Sequence, residues 1–84
     1  MATIPPDLQT KIQHDPQTQV DLIVRLADDP GKHVRDLQSL GWTVRRTFSL
    51  TPSVVIQGPA SASLALARQP WVLAIEEDKS VHTM

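Results

Sequence analysis

The alternation of two hydrophobic periods along residues 20–77 is the feature that most limits the folds open to this chain. Stretches in which every second residue is apolar are typical of half-buried β-strands, whereas apolar residues three or four apart are typical of helices. Prolines and glycines separate most of these stretches. The pattern predicts the order strand, helix, strand, strand, helix, strand. The six segments are residues 20–26, 28–41, 42–50, 54–57, 60–69 and 71–77.

The first predicted helix, residues 28–41, carries a signal at each end. Asp29 is suited to cap the free amides at its start, and Pro30 suits the first helical position because its missing N–H is not needed there. Gly41 suits the left-handed residue that ends many helices. This segment is therefore expected to begin and end sharply.

Two strand–helix–strand units joined by a hairpin predict an α+β fold. Each unit needs a right-handed crossover, so the expected architecture is ferredoxin-like βαββαβ, a four-stranded antiparallel sheet with two helices on one face. In the first strand the residues predicted to face the core are Val20, Leu22, Val24 and Leu26. In the second they are Trp42, Val44, Phe48 and Leu50.

The other face of this sheet is predicted to be partly apolar and uncovered. It carries Ile23, Val55 and one of two sets from the last strand. The two sets are Trp71, Leu73 and Ile75, or Val72 and Ala74. An exposed apolar face usually marks a docking surface. The alternative is that the first helix, or loose packing, covers it.

The chain divides into three parts. Residues 1–18 form an N-terminal extension with a possible extra short helix at residues 5–16, which has Leu8 and Ile12 on one face. Residues 19–78 form the domain, and residues 79–84 form an extended tail.

Composition argues against several partners. Eight basic and nine acidic residues leave a net charge of −1, without the basic excess that nucleic-acid binding requires. The aromatic residues that stack RNA bases are also scarce, with one Phe and no Tyr. No apolar run approaches the roughly 20 residues of a membrane span, and the first ten residues do not resemble a signal peptide. We expect a cytoplasmic chain, or one processed or exported by another route.

Catalysis and metal binding are not expected. The sequence has no Gly-x-Ser-x-Gly motif, and 84 residues leave little room for a catalytic triad with a substrate cleft. His14, His33 and His82 lie on separate segments without ligand spacing, so we predict surface histidines. There is no cysteine. We therefore predict that the protein is not an enzyme and that it needs no cofactor.

Two stretches carry a family resemblance. "QPWVLAIEEDKSVHTM" (69–84) contains a proline, a short apolar strand, Glu-Glu-Asp and a six-residue tail. "LGWTVRRTFSLTPSVVIQGP" (40–59) contains a Gly-x-Val turn into a long strand and a hairpin. In their order and spacing they resemble the propeptides of subtilisin-like serine proteases and the free-standing inhibitors related to them. The resemblance covers residues 19–84.

The resemblance implies how the domain meets a protease. In that family the open sheet face docks on two parallel surface helices of the protease, and acids at the sheet edge cap the amino ends of those helices. Glu76 and Asp78 match these positions. Helix starts expose unsatisfied amides and a partial positive charge, which favour carboxylates. The acids taken alone favour a solvated strand end formed by Glu76, Glu77 and Asp78, and the attached tail reverses that preference.

The resemblance also assigns a role to the last four residues. They lie in the active-site cleft of the family's proteases as an added strand. By that match Met84 fills the primary pocket, Thr83 and His82 follow it, and Val81 fills the fourth subsite. The chain then mimics a cleavage product that its folded body holds in place. The alternative is a frayed terminus without a role.

The function predicted on this basis is inhibition of a subtilisin-like serine protease, together with a role as chaperone in protease folding, by a chain that is monomeric when free. One alternative is an excised propeptide whose main task is chaperoning; Met1 without a signal peptide and the end at Met84 favour the inhibitor. Another is a ferredoxin-like regulatory module that binds a small ligand and dimerises through its sheet.

Overall fold

The computed structural model describes residues 2–78, which form a four-stranded antiparallel sheet and three α-helices. The helices are α1 (Pro6–His14), α2 (Val34–Ser39) and α3 (Ser63–Ala67). The strands are β1 (Gln19–Leu26), β2 (Thr43–Phe48), β3 (Ser53–Pro59) and β4 (Val72–Glu77). Single 3-10 turns, Pro30–His33 and Ala60–Ala62, lead into α2 and α3. The predicted α+β class and the predicted N-terminal helix are confirmed.

The sheet has the strand order β2-β3-β1-β4, and each neighbouring pair is antiparallel. The connection from β1 to β2 contains α2, and the connection from β3 to β4 contains α3. The two edge strands are therefore β2 and β4. The element order predicted from the sequence is the order found.

One face of the sheet forms the hydrophobic core together with the helices. Along β1 every second side chain is buried, as predicted. These residues are Val20, Leu22, Val24 and Leu26. Leu8 of α1, Leu37 of α2 and Leu66 of α3 are fully buried in the same cluster. Burial of each such side chain is worth roughly 1.5–3 kcal/mol, so the helices are held against this face, and α1 does not cover the opposite one.

The predicted start and end signals of the helical segment at residues 28–41 act as expected. The Asp29 side chain accepts a hydrogen bond of 3.0 Å from the Gly31 N–H, and Gly41 has a φ of 102°, which favours glycine. The segment differs in length from the prediction, because its first turn is the 3-10 turn Pro30–His33 and α2 ends at Ser39.

A β-bulge in β2 overturns part of the predicted alternation. Val44 pairs with Ile56, but the next pair along the strand is Arg46 with Val55, so Arg45 is an extra residue. One extra residue moves every later side chain to the other face. The prediction that Phe48 lies on the same side as Trp42 and Val44 is therefore wrong. The prediction for Leu50 is also wrong, because β2 ends at Phe48 and Leu50 lies in the turn that follows. Phe48 is 45% exposed and Leu50 is fully exposed.

A second irregularity lies in β4. Leu26 pairs with Val72 and Arg25 pairs with Ala74, which leaves Leu73 as an extra residue. Val72 and Ile75 are consequently both buried, although three positions separate them. Neither of the two sets predicted for this strand shares a face.

Gly58 lies where β3 packs closely against the turn after α2, so a substitution there can test this packing. A Cβ added to Gly58 would lie 2.7 Å from Cε3 of the buried Trp42 ring and 2.9 Å from the Gly41 carbonyl oxygen. We expect Gly58→Ala to lower the free energy of unfolding by about 1–3 kcal/mol, measured by urea denaturation, because the indole must shift. Gly31→Ala is the control, since the nearest atom to its added Cβ is 3.5 Å away. Equal stability of the two variants would contradict this packing.

Candidate functional site

The face of the sheet turned away from the helices is the candidate site, and we call it the open face. Its membership follows from the strand pairing. From β2 to β4 its residues are Thr43, Arg46 and Phe48; Ser53, Val55 and Gln57; Asp21, Ile23 and Arg25; Ala74, Glu76 and Asp78. The predicted uncovered, partly apolar face is therefore present.

Strand pairing arranges these side chains in rows across the sheet. The middle row, read from β2 to β4, is Arg46, Val55, Ile23 and Glu76. The row beside it is Phe48, Ser53, Arg25 and Ala74. In the third row Gln57 pairs with Thr43 on one side and with Asp21 on the other. The Asp78 N–H donates a 2.8 Å hydrogen bond to the Asp21 carbonyl oxygen. The middle row is thus apolar on the two central strands and charged at the two edges, while Asp21 and Arg25 add charges on β1.

A groove of about 390 Å³ crosses the β2 side of the open face. It is lined by Asp21, Arg45, Arg46, Phe48, Val55, Gln57 and Asp78. Nη1 of Arg45 donates a 3.3 Å hydrogen bond to Oε1 of Gln57, so the extra residue of the β2 bulge also reaches this surface. The bulge therefore supplies a second cation to the edge of the open face.

Glu76 and Asp78, the two acids predicted to contact a partner, lie together at the β4 edge. They are two positions apart along the same strand, so both side chains belong to the open face. Glu76 is exposed and Asp78 is half-buried. The hydrogen bond from Asp78 to Asp21 extends the strand pairing one residue beyond β4. Asp78 is the last residue that the structure describes, so these acids lie at the end of the described sheet edge.

Glu77, between them, belongs to the opposite face and has a different role. Its Oε2 lies 2.6 Å from Nζ of Lys11 on α1, and its side chain is 7% exposed. Its other oxygen is buried and accepts no hydrogen bond from residues 2–78. In the sequence, Glu76, Glu77 and Asp78 stand together as one group of acids at the end of a predicted strand. Strand alternation separates Glu77 from its neighbours, but nothing local signals a partner 66 positions away.

The N-terminal segment is fixed to the domain at several points. The Ala2 N–H donates a 3.0 Å hydrogen bond to the Ala67 carbonyl oxygen, and Leu8 lies in the core. The Lys11–Glu77 ion pair then joins α1 to the last residue of β4. Residues 2–14 therefore hold the strand from which residues 79–84 continue.

His33 is not the surface histidine that the sequence predicted. Its ring stacks on Trp71, with centroids 4.1 Å apart and planes 11° apart, and it is buried. Nε2 lies 2.5 Å from Oδ1 of Asp28, and Nδ1 lies 3.7 Å from Oδ2 of Asp36. The Ala27 N–H also donates to the Trp71 carbonyl oxygen at 2.9 Å. These contacts join the segment before α2 to the segment before β4.

Within residues 2–78 no group of three or more His, Asp or Glu side chains is placed to hold a metal ion. In the same part of the chain, no helix has the length and hydropathy to cross a membrane. The predicted tail residues Val81, His82, Thr83 and Met84 lie outside the described residues.

No model of a known protein family matches this chain. No curated protein matches it either.

The Lys11–Glu77 pair can be tested by removing its cation. Lys11→Met keeps the apolar stem but leaves the nearly buried Glu77 carboxylate without its partner. We expect the free energy of unfolding to fall by about 1–2 kcal/mol, a modest loss because Lys11 is half exposed. The double variant Lys11→Met/Glu77→Gln should recover part of this loss, since it removes the stranded charge. Lys32→Met is the matched control, and a Lys11→Met variant as stable as this control would contradict the anchoring role.

Proposed function

We propose that this protein inhibits subtilisin-like serine proteases by docking its open face on the protease and presenting residues 81–84 to the active-site cleft. The observation that carries the proposal is the position of Glu76 and Asp78. Both acids belong to the uncovered face, at the end of the edge strand from which the tail continues. This arrangement is what the family resemblance requires of its helix-capping acids.

We propose a ferredoxin-like βαββαβ fold for residues 19–78, with α1 as an addition to it. The strand order β2-β3-β1-β4 supports this assignment, as do the antiparallel pairs and the helix in each strand–helix–strand connection. The burial of a leucine from both α2 and α3 against one sheet face supports it further. Such a fold leaves a whole sheet face for a partner.

The spacing of the two acids suits the proposed contact. Glu76 and Asp78 are two residues apart on one strand, so their backbones are about 7 Å apart. The axes of two packed helices lie about 8–10 Å apart, a difference that flexible side chains can span. Each helix start exposes N–H groups without partners and a partial positive charge. One carboxylate per helix would satisfy both.

The folded domain explains why a product-like tail would inhibit. A detached tetrapeptide loses binding free energy to ordering and to lost translational freedom, whereas a docked domain holds the same residues at high effective concentration. Met84 and Val81 are apolar and suit the broad primary and fourth subsites implied by the resemblance, while Thr83 and His82 lie between them. The tail would pair with the cleft as an added strand.

The same docking supports a role in protease folding. A ligand that binds only the native state stabilises that state by mass action. A domain that binds two packed surface helices of a protease would therefore shift the folding equilibrium of the protease toward molecules in which those helices are already packed.

The tail is tested by titrating the purified chain against subtilisin with a chromogenic peptide substrate. We expect deletion of residues 81–84, and separately Met84→Asp, to weaken inhibition by about a hundredfold or more, because the first removes the cleft contact and the second places a charge in an apolar pocket. Met84→Leu is the matched control and should inhibit within about threefold of the parent chain. Equal potency of the deleted and full-length chains would exclude this mechanism.

The acids are tested in the same assay with a smaller expected effect. Glu76→Ala and Asp78→Ala should each weaken inhibition by about tenfold or less, since an exposed carboxylate at a helix start contributes modestly. Asp15→Ala removes an exposed carboxylate beyond the end of α1 and should leave inhibition unchanged. The proposal fails for these residues if the Asp15 variant loses as much potency as the other two at equal thermal stability.

A further inference from the structure

We propose that the open face also binds a second copy of this chain, so that two chains associate face to face through their sheets. The observation is the order of side chains in its middle row. From β2 to β4 this row reads Arg46, Val55, Ile23 and Glu76. The row has a cation at one edge, two apolar residues in the middle and an anion at the other edge. When a second copy of the row is laid over it in the opposite direction, each cation meets an anion and the apolar residues meet each other.

The symmetry of a dimer decides whether that complementarity is used. A two-fold axis that lies between the two sheets and runs along the strands places the β2 edge of one chain over the β4 edge of the other. Arg46 then faces Glu76 of the second chain, and the same contact occurs twice. An axis across the strands would instead place Arg46 over its own copy. Charge therefore selects the first arrangement, in which the strands are aligned as in packed sheets.

The neighbouring rows fit the same arrangement. Phe48 on β2, 45% exposed, comes to lie over the small Ala74 on β4. Gln57 comes to lie over Asp21, which pairs an amide donor with a carboxylate. At the centre Val55 meets Ile23, so apolar side chains meet apolar ones. All of these pairings follow from one axis, and none of them brings like charges together.

The two charges of the middle row are available for such pairing. Within residues 2–78 the ion pairs involve neither Arg46 nor Glu76. Packed sheets are separated by about 10 Å, a gap that an arginine and a glutamate side chain can bridge together. Association would therefore pair two charges in each chain that otherwise face solvent.

The size of the face sets the strength of the association. Four strands about 4.8 Å apart and five residues of about 3.4 Å along each give about 19 Å by 17 Å, or about 650 Å² for both chains. Stable interfaces usually bury more than about 1,000 Å², so we expect a transient dimer that forms at micromolar or higher concentration. The chain remains monomeric when dilute, which restricts the sequence-based expectation of a monomer to that range.

Self-association would regulate the proposed inhibitor, a consequence that rests on the proposed function. The dimer covers the surface that would dock on a protease, so concentrated inhibitor would be masked and dilution would expose it. Self-association itself does not depend on the inhibitory role and is measured with no protease present. Failure of one proposal is therefore distinguishable from failure of the other.

Sedimentation velocity of the chain alone, from about 10 µM to about 1 mM, tests the dimer. The parent chain should show a sedimentation coefficient that rises with concentration. Arg46→Glu and Glu76→Arg should each weaken self-association by about tenfold or more, because each places like charges opposite one another at two contacts. An equimolar mixture of the two variants should associate at least as well as the parent chain, because each variant then supplies the charge that the other lacks.

The mixture guards against misfolding as an explanation, since misfolded variants would not recover association when combined. Arg35→Glu makes the same charge change on α2, on the side of the sheet away from the open face, and should leave association unchanged. A sedimentation coefficient independent of concentration would overturn the proposal. So would association lost equally in the Arg35 variant, or a mixture that remains monomeric.

Discussion

The burial of a single sheet face by all the helices is the constraint on which the rest of this structure depends. Helices α1, α2 and α3 contain nine, six and five residues, so they are too short to be stable alone in water and form only where they pack. Each contributes a fully buried leucine to one cluster. The opposite face consequently has no helix over it, so the row of Arg46, Val55, Ile23 and Glu76 can meet another molecule.

Much of this arrangement can be predicted from the sequence because it depends on local chemistry. The period of apolar residues identifies β1, and Asp29 and Gly41 mark the ends of a helical segment through hydrogen bonding and backbone freedom. The α+β class follows from the element order. Even the shared face of Glu76 and Asp78 follows from their separation by two residues, provided that β4 is recognised as a strand.

What could not be predicted depends on distant partners or on one inserted residue. The bulges at Arg45 and Leu73 carry no composition signal, yet each reverses the alternation beyond it. The first moves Phe48 onto the open face, and the second places Val72 and Ile75 on the same side of β4. The pairing of Glu77 with Lys11 and the stacking of His33 on Trp71 join segments far apart in the chain. The roles assigned to residues 81–84 remain predictions.

The central claim is that this chain meets a subtilisin-like protease with its open face. Cross-saturation NMR tests it directly, using the deuterated chain with labelled methyl groups and an unlabelled subtilisin whose catalytic serine is replaced by alanine. The account predicts that saturating the protease reduces the methyl signals of Ile23 and Val55, while those of Leu8, Leu37 and Leu66 keep their intensity. Loss of the leucine signals instead, or no transfer to any methyl group at protease concentrations that saturate binding, would contradict it.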